Sequence, residues 1–323
     1  MKKVLTKNLG FFYTLFTTKN PRIPRVCAKS KPPKILYKNY AVIPQKRGVS
    51  LSQLKPRDTG LRRYDEINCN LKTFLYTAFN LKGLKMLRPS LRKPNQMRPV
   101  SMETAVNKWA EGSCLIKIGG THVLCTASVD FNQPTWKRMQ HKTGGWVTAD
   151  YSMLPRATDM RKSRESLLND KRSMEISRMI GRALRSVVDM EALGKNTIYI
   201  DCDVIQADGG TRCAAITGGF VAMSLAVRWM MGNERLMENP IREHIAAVSA
   251  GIWNNELILD LDYEEDHDAE MDANFVVAEG GQFIEVQSTG EQHPFDKSQL
   301  GEIMDMAAVA AEKLINLQKK VLE

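Results

Sequence analysis

The fold is decided by residues 197–231, which read TIYIDCDVIQADGGTRCAAITGGFVAMSLAVRWMM. β-Branched and aromatic residues alternate with polar ones over residues 197–205, and this pattern predicts a β-strand. Residues 211–231 are almost continuously apolar and long enough to predict a helix. Two glycines, Gly209 and Gly210, lie between them. A strand that turns directly into a long helix indicates a fold of the α/β type.

The turn between this strand and helix suits a phosphate or another anion. Glycines allow backbone N–H groups to point toward a ligand, and a helix N-terminus carries partial positive charge. Thr211 and Arg212 follow the glycines and supply further donors. The segment is not a P-loop, because no Gly-Lys-Ser/Thr follows four variable residues. Since a Gly-Gly turn before a capped helix is more often only a turn, the anion site is a hypothesis.

Hairpins and two further helices flank this unit. Strands are predicted at residues 113–118 and 122–129, and helices at residues 170–193 and 297–322. Tight hairpin turns are predicted at Gly119-Gly120, Asn254-Asn255 and Gly280-Gly281. This order of elements predicts a two-layer α/β sandwich, a βαβα arrangement with a mixed, largely antiparallel sheet.

A second candidate site is the acidic run DLDYEEDHDAEMD at residues 260–272. If this run is a strand followed by a loop, alternate acids share one face and offer oxygen ligands to Mg²⁺. A solvated acidic edge strand explains the same composition. His267 is expected to be a loop residue rather than a ligand. No Ser/His/Asp spacing indicates a side-chain nucleophile.

A basic segment with few apolar residues leads into the start of the helix predicted at residues 170–193. It contains Arg156, Arg161, Arg164 and Arg172. Such a segment is usually a solvated loop. Beside an anion-binding turn, however, arginines on an exposed segment are suited to a polyanion such as RNA.

Charge divides the chain at about residue 85. The formal net charge is +10, but residues 1–85 hold 19 basic residues against 3 acids, whereas the remaining 238 residues hold 27 basic residues against 33 acids. The overall basicity is therefore not a sign that the main domain binds nucleic acid. We predict an extension at residues 1–85 and one domain at residues 86–323.

The extension allows three interpretations: a secretory signal, a transit peptide, or a disordered or wrongly included segment before a true start at Met86. We favour the last, because charge balance and hydrophobic periodicity both change at Met86. A cytoplasmic location is expected, with organellar import as the less favoured alternative. No uninterrupted apolar run reaches the ~20 residues of a membrane-spanning helix, so no membrane partner is expected.

The six cysteines form neither a Cys-x-x-Cys pair nor a Cys/His cluster. Neither a zinc site nor a disulfide framework is therefore indicated, and a reducing compartment is expected.

Taken together, these segments resemble ribonuclease PH. The resemblance runs from about residue 87 to the C-terminus through LRPSLRKPNQMRPV, EGSCLIKIGGTHVLCTASV, GWVTADYSMLPRAT, DCDVIQADGGTR, DLDYEEDHDAEMDANFVV and IEVQSTGE. It implies a fold like a ribosomal-protein domain and a hexameric ring built as a trimer of dimers. It also implies a phosphorolytic 3′–5′ exoribonuclease that trims the 3′ ends of tRNA precursors, with rRNA processing as a further role.

The resemblance also implies roles for individual residues. Phosphate, the co-substrate, is expected at Arg172, Gly210, Thr211 and Arg212. The carboxylates of catalysis and of Mg²⁺ binding are expected at Asp266 and Asp272, and RNA contacts at Arg156, Arg161 and Arg164. These residue types suit the reaction, because phosphate itself is the nucleophile and needs only cations and donors to hold it in line.

The sequence departs from the family pattern at several positions. The usual Gly-Gly before Arg172 is Asp170-Lys171, the usual Thr-Ala-Ser after Arg212 is Cys213-Ala214-Ala215, and Leu91 replaces a glycine. A weakened phosphate affinity is the expected consequence. Two alternatives follow: a catalytically silent RNA-binding subunit of an exosome-like ring, or a structural ring subunit whose arginines only stabilise assembly.

Overall fold

The structure is a computed structural model that describes residues 88–168 and 170–323. The predicted extension, residues 1–85, lies outside the described residues. The strands are β1 (Val100–Thr104), β2 (Gly112–Ile118), β3 (Thr121–Asp130), β4 (Trp146–Met153), β5 (Thr197–Gln206), β6 (Ile245–Trp253), β7 (Glu256–Leu259), β8 (Met271–Ala278) and β9 (Phe283–Gly290). The helices are α1 (Thr135–Met139), α2 (Arg164–Leu168), α3 (Lys171–Ser186), α4 (Thr211–Gly232), α5 (Tyr263–His267) and α6 (Lys297–Leu322).

The described strands form two sheets. One has the order β1-β2-β3-β5-β4 and the other the order β7-β6-β8-β9. Strands β4 and β5 pair in parallel, and the other pairings among the described strands are antiparallel. The predicted α/β class with mixed, largely antiparallel pairing is confirmed. The difference is that the strands are divided between two sheets rather than joined in one.

Helix α4 contacts both sheets and is buried along most of its length. Its length and composition would suit a membrane span, but 78% of its most apolar stretch is buried inside the fold, as in the core helix of a globular domain. Its approach to the five-stranded sheet requires glycine, because a Cβ on Gly218 would lie 2.7 Å from Cγ2 of Ile116. The continuous apolar run therefore reflects packing on all sides.

The four-stranded sheet is covered on both faces. Along β6, Ile245 and Ala247 face the core that contains α4, whereas Ala246 and Val248 face a second core formed with α6. A strand buried on both faces has no polar side to expose, and this explains the nearly uninterrupted apolar sequence IAAVSAGIW.

Helix α3 is shorter than the sequence predicts. It begins after Asp170, whose carboxylate accepts from the backbone N–H groups of Arg172 and Ser173. It ends at Ser186 rather than at residue 193, because Val188 forms a β-bridge with Ile241. By contrast, the helices predicted at residues 211–231 and 297–322 are confirmed as α4 and α6.

The predicted hairpin turns are also confirmed. Asn254 and Asn255 both adopt positive φ, at 50° and 57°, and join β6 to β7. Leu91 adopts φ 58°. A left-handed φ is the conformation that glycine adopts without steric cost, so the family's glycine at this position has a conformational reason.

Candidate active site

The phosphate turn, residues 207–210, connects β5 to α4. Gly209 and Gly210 have φ values of 70° and 65°, and no side chain caps the N-terminus of α4. A Cβ on Gly209 would lie 2.5 Å from the carbonyl oxygen of Leu261, so glycine is required there. The uncapped helix start leaves backbone donors and partial positive charge, the two features on which the hypothesis of an anion site rests.

Two side chains hold this turn in place. The Thr121 hydroxyl donates to the carbonyl oxygen of Gly209 at 2.6 Å and accepts from the backbone N–H of Asp208 at 3.0 Å. Arg98 is buried, and its guanidinium donates to the carbonyl oxygens of Asp208 and, at 3.4 Å, of Gly209. The conformation of the turn is therefore fixed before any ligand binds.

Arg98 also joins the turn to the acidic run. Its Nη2 and Nε donate to the two carboxylate oxygens of Asp260 at 2.7 and 3.0 Å, and its backbone N–H donates to the same carboxylate at 2.7 Å. Sequence reasoning gave Arg98 no role. The available signal was the close spacing of Arg88, Arg92 and Arg98 at the start of a domain with surplus acids.

The acidic run is not a strand followed by a loop. It leaves β7, forms the short helix α5 and enters β8 at Met271. Asp262 caps α5, and it exchanges hydrogen bonds with Glu265 in a capping box. The acids therefore do not alternate along one strand face, and they separate into groups with different surroundings.

We call Asp260 and Glu265 the inner acids, because arginines surround them in the interior. Glu265 is fully buried and accepts from Arg88 at 2.9 and 2.5 Å, from Arg92 at 2.9 Å and from Ser90 at 2.8 Å. Burial by itself raises the pKa of Glu265. The hydrogen bonds from Arg88 and Ser90 and the charges of the arginines outweigh that effect and hold this pKa below its ordinary value.

We call Asp266 and Asp272 the outer acids. Both are partly buried, Asp266 on α5 and Asp272 near the start of β8. Burial raises the pKa of Asp266, the negative charge of Asp272 raises it further, and the positive charges of Arg212 and Arg172 oppose this. Asp266 therefore lies within electrostatic reach of Asp272, Arg212 and Arg172, which the sequence also predicts for the site.

The two arginines reach the site from different helices. Arg212 lies in the first turn of α4, and its Nη1 donates to Oε1 of Gln287 at 3.2 Å. Arg172 lies in the first turn of α3 and is exposed. The charges of both also act on the hydroxyl of Tyr151, which lies on β4. The N-termini of α3 and α4 therefore present two guanidinium groups to one region.

The basic segment follows β4, and Arg156, Arg161 and Arg164 are exposed on it. The start of the segment adjoins the phosphate turn, because the backbone N–H of Ala207 donates to the carbonyl oxygen of Ala157 at 2.8 Å. In the part of the chain that the structure describes, no hydrogen bond or ion pair joins Arg161 or Arg164 to the outer acids. The start of the basic segment therefore lies beside the phosphate turn, whereas Arg161 and Arg164 lie at the surface.

Cys213 and Ala215, which replace hydroxyl residues expected from the resemblance, lie in the interior. Ala215 is fully buried, and its carbonyl oxygen accepts from the thiols of Cys125 and Cys202. The Cys213 thiol donates to Oδ1 of Asn274 at 3.2 Å, and burial raises its pKa to about 12. Neither side chain is open to an anion at the turn. The four cysteines among the described residues are all free, as expected.

A turn with uncapped backbone donors, two arginines, two partly buried carboxylates and an adjoining basic segment would suit a phosphate-dependent nuclease. The sequence matches domain 1 of the 3′ exoribonuclease family over residues 96–228 and domain 2 over residues 244–310. Ribonuclease PH from Brucella ovis and that from Brucella canis are each 50% identical over 236 residues, which cover 72% of this chain and 98% of each relative. The chain belongs to the 3′ exoribonuclease family, in agreement with the resemblance to ribonuclease PH.

The fold is similar to solved structures of exosome proteins. The "archaeoglobus fulgidus exosome with RNA bound to the active site" matches with a TM-score of 0.62 at 20% identity. The match covers 77% of the present chain and 98% of the exosome chain. Rice (Oryza sativa) Rrp46 has a TM-score of 0.60 at 18% identity over 73% of this chain and 100% of that chain. At these identities the comparison shows the fold alone, and it confirms the expected architecture.

Proposed function

We propose that this chain trims the 3′ ends of tRNA precursors, with rRNA processing as a further role. Its membership of the family makes it a phosphorolytic 3′–5′ exoribonuclease with inorganic phosphate as co-substrate. The observation that carries the proposal is that the charges of Arg172, Arg212 and Asp272 all act on the carboxyl of Asp266, with Arg212 in the first turn of α4.

In this proposal, Arg172, Arg212, Thr211 and the backbone at Gly210 hold inorganic phosphate. A phosphate oxygen attacks the phosphorus of the last phosphodiester, and the bond from that phosphorus to the 3′ oxygen of the preceding nucleotide breaks. The 3′ oxygen takes up a proton, and the terminal nucleotide leaves as a nucleoside diphosphate. The site serves this reaction by alignment and by charge, so no side-chain nucleophile is needed.

We further propose that Asp266 and Asp272 hold Mg²⁺ and are the catalytic carboxylates. Among the described residues, no group of three or more His, Cys, Asp and Glu side chains is placed to hold a metal ion. Two carboxylates still fit Mg²⁺, which commonly takes one or two protein carboxylates together with substrate phosphates and water. The raised pKa of Asp266 also fits, since a cation would relieve its repulsion with Asp272. When bound, the metal would neutralise charge on the phosphates.

Arg156, Arg161 and Arg164 are proposed to hold the RNA by its phosphates. They are exposed on the segment whose start adjoins the phosphate turn, so they can contact an RNA strand that enters the site. We also propose a homo-oligomer, a hexameric trimer of dimers. Light scattering on the purified protein would test it through a particle mass near six times that of the 36.5 kDa chain.

The function is tested with a tRNA that carries a short 3′ extension. We expect nucleoside diphosphates to appear in the presence of phosphate and no release without it. Nucleoside monophosphates, formed by hydrolysis, would contradict phosphorolysis. RNA binding without any release would instead favour the silent ring subunit.

The boundary at Met86 and the cytoplasmic location also stand as proposals. The matched 236 residues cover 98% of the Brucella relatives, so most of the remaining part of this chain has no counterpart in them. A protein that starts at Met86 should fold, assemble and phosphorolyse RNA like the full chain, with any added RNA affinity of the extension fading as salt rises. Insoluble protein would show that the boundary is wrong. The mass of the native N-terminus would show whether residues 1–85 are retained.

A further inference from the structure

A buried tyrosine contacts the proposed phosphate site, and the reaction described above gives it no role. Tyr151 lies on β4 and is only 6% exposed. Its hydroxyl donates to Oγ1 of Thr211 at 2.8 Å. Thr211 is the first residue of α4 and directly follows the phosphate turn. The contact therefore ends at one of the groups expected to hold phosphate.

The direction of this hydrogen bond determines what Thr211 can do. Burial raises the pKa of the Tyr151 hydroxyl, and the hydrogen bond with Thr211 and the charges of Arg172 and Arg212 act in the opposite direction. The net shift is upward, so the phenol keeps its proton at neutral pH. A threonine hydroxyl has one hydrogen and two lone pairs. When it accepts from Tyr151, its own hydrogen is left for another acceptor.

The backbone of Tyr151 is anchored to the helix that carries Arg172. Its N–H donates to Oγ of Ser177 at 2.9 Å, and the Ser177 hydroxyl donates to the carbonyl oxygen of Ser173 at 2.9 Å. Both serines lie on α3. Tyr151 thus connects the helix that bears Arg172 to the first residue of the helix that bears Arg212.

We propose that Tyr151 is a positioning residue for inorganic phosphate, which orients the Thr211 hydroxyl so that its hydrogen points to the anion. The proposal rests on the phosphate-binding role proposed above for Thr211. Tyr151 itself does not touch phosphate in this account. Its contribution is to remove the rotational freedom of a hydroxyl that would otherwise have to be ordered when the anion binds.

The test is a double-mutant cycle with Tyr151→Phe and Thr211→Ala. Initial rates of phosphorolysis are measured against phosphate concentration at saturating RNA. Tyr151→Phe, which keeps the ring, should raise the KM for phosphate about fivefold, the equivalent of one ordinary hydrogen bond, and change kcat less than about twofold. In the Thr211→Ala background, the same change should alter the KM for phosphate less than about twofold, because the hydroxyl that it orients is already absent.

Two further variants make the result specific. Tyr199→Phe removes a phenolic hydroxyl from the partly exposed Tyr199 of β5 and should leave the KM for phosphate unchanged. Thr211→Ser keeps the hydroxyl, so it should keep both near-normal phosphate affinity and sensitivity to Tyr151→Phe. If Thr211→Ala does not fold, Thr211→Val, which removes the hydroxyl and nearly keeps the side-chain volume, takes its place in the cycle.

The proposal is overturned if Tyr151→Phe leaves the KM for phosphate unchanged. It is equally overturned if the effect is as large in Thr211→Ala as in the original chain, since Tyr151 would then act by another route. These outcomes are distinct from failure of the proposed function, which would appear as the absence of phosphate-dependent release by the unsubstituted protein.

Discussion

The inner and outer acids lie within 13 residues of each other, yet their surroundings are opposite in kind. Asp260 and Glu265 are buried and hydrogen-bonded to Arg88, Arg92 and Arg98. The outer acids have no hydrogen bond from an arginine among the described residues. Acidic composition alone therefore does not identify the functional carboxylates, and what matters is how much of each charge is already neutralised.

The pKa directions express the same difference. Arginine contacts hold the pKa of Glu265 below its ordinary value, so ionised Glu265 stabilises the fold. Burial and the neighbouring charge of Asp272 hold the pKa of Asp266 above its ordinary value, so ionised Asp266 costs stability. Two neighbouring carboxylates without a hydrogen bond from an arginine, one with a raised pKa, are more typical of a site for a cation or a substrate than of a structural ion pair.

The largest effect is expected at an inner acid. Glu265→Gln removes the charge from a fully buried carboxylate and leaves Arg88 buried without its counter-ion. We expect the free energy of unfolding at pH 7 to fall by about 3 kcal/mol. The lost contribution is fully present in the original chain above the ordinary pKa of 4.5, and it disappears as pH falls through the lower pKa of the folded state. Urea denaturation at pH 7 and at lower pH measures it.

Asp268→Asn is the matched control, since Asp268 lies in the same run but is exposed. Its hydrogen bonds within residues 88–168 and 170–323 are to His267 and, through its backbone, to Gln292. Its effect on unfolding should stay within about 0.5 kcal/mol. If Glu265→Gln is equally mild, the arginine contacts do not stabilise the fold and the distinction between inner and outer acids fails.

The next effect is on catalysis, at the arginines that face the outer acids. Arg212→Ala or Arg172→Ala should lower the rate of phosphorolysis about 100-fold or more, because each change removes a charge-assisted contact to the attacking phosphate. Folding and RNA binding should change little. Arg178→Ala, on the exposed side of α3, is the control and should keep a normal rate. Normal kinetics against phosphate concentration in both site variants would refute the assignment.

Much of the fold is readable from the sequence because its signals are local. The turn at Asn254-Asn255 and the helices α4 and α6 depend on residue type and periodicity, which act over a few residues. The end of α3 depends instead on a bridge between Val188 and Ile241, 53 positions apart, which no local pattern contains. The division of the strands into two sheets is likewise set by α4 packing on both.

The site divides in the same way. Gly209, Gly210 and Arg212 are identifiable because a strand, a turn and a helix start follow one another in sequence. The acids of the site cannot be identified in this way. Asp260 and Asp266 have similar sequence surroundings, and only the contact of Arg98 with Asp260 distinguishes them. Arg98 precedes Asp260 by 162 positions, and only the folded chain brings them together.

A smaller catalytic effect should separate two acids of similar sequence context. Asp272→Asn keeps the shape of the side chain and removes its charge, so turnover should fall about tenfold or more, with RNA binding less affected. Asp268→Asn should be tolerated. Both are compared across a Mg²⁺ titration. If the two variants respond alike, the acidic run is better explained as a solvated surface than as a metal site.

The smallest effect has the opposite sign from that at Glu265. Because the folded state holds the pKa of Asp266 above its ordinary value of 3.8, ionised Asp266 destabilises the fold, and this cost appears as pH rises through the raised pKa. Asp266→Asn removes the cost, so we expect the free energy of unfolding at pH 7 to rise by about 0.5 kcal/mol without divalent cations, while activity is lost. The gain should shrink as pH falls toward 3.8 and disappear below it, where the original carboxyl is neutral in both states. Urea denaturation with chelator present, at pH 7 and pH 4.5, measures the difference. A loss of stability at pH 7 would show that Asp266 contributes to folding in the way that Glu265 does, and would remove the contrast on which the assignment of the outer acids rests.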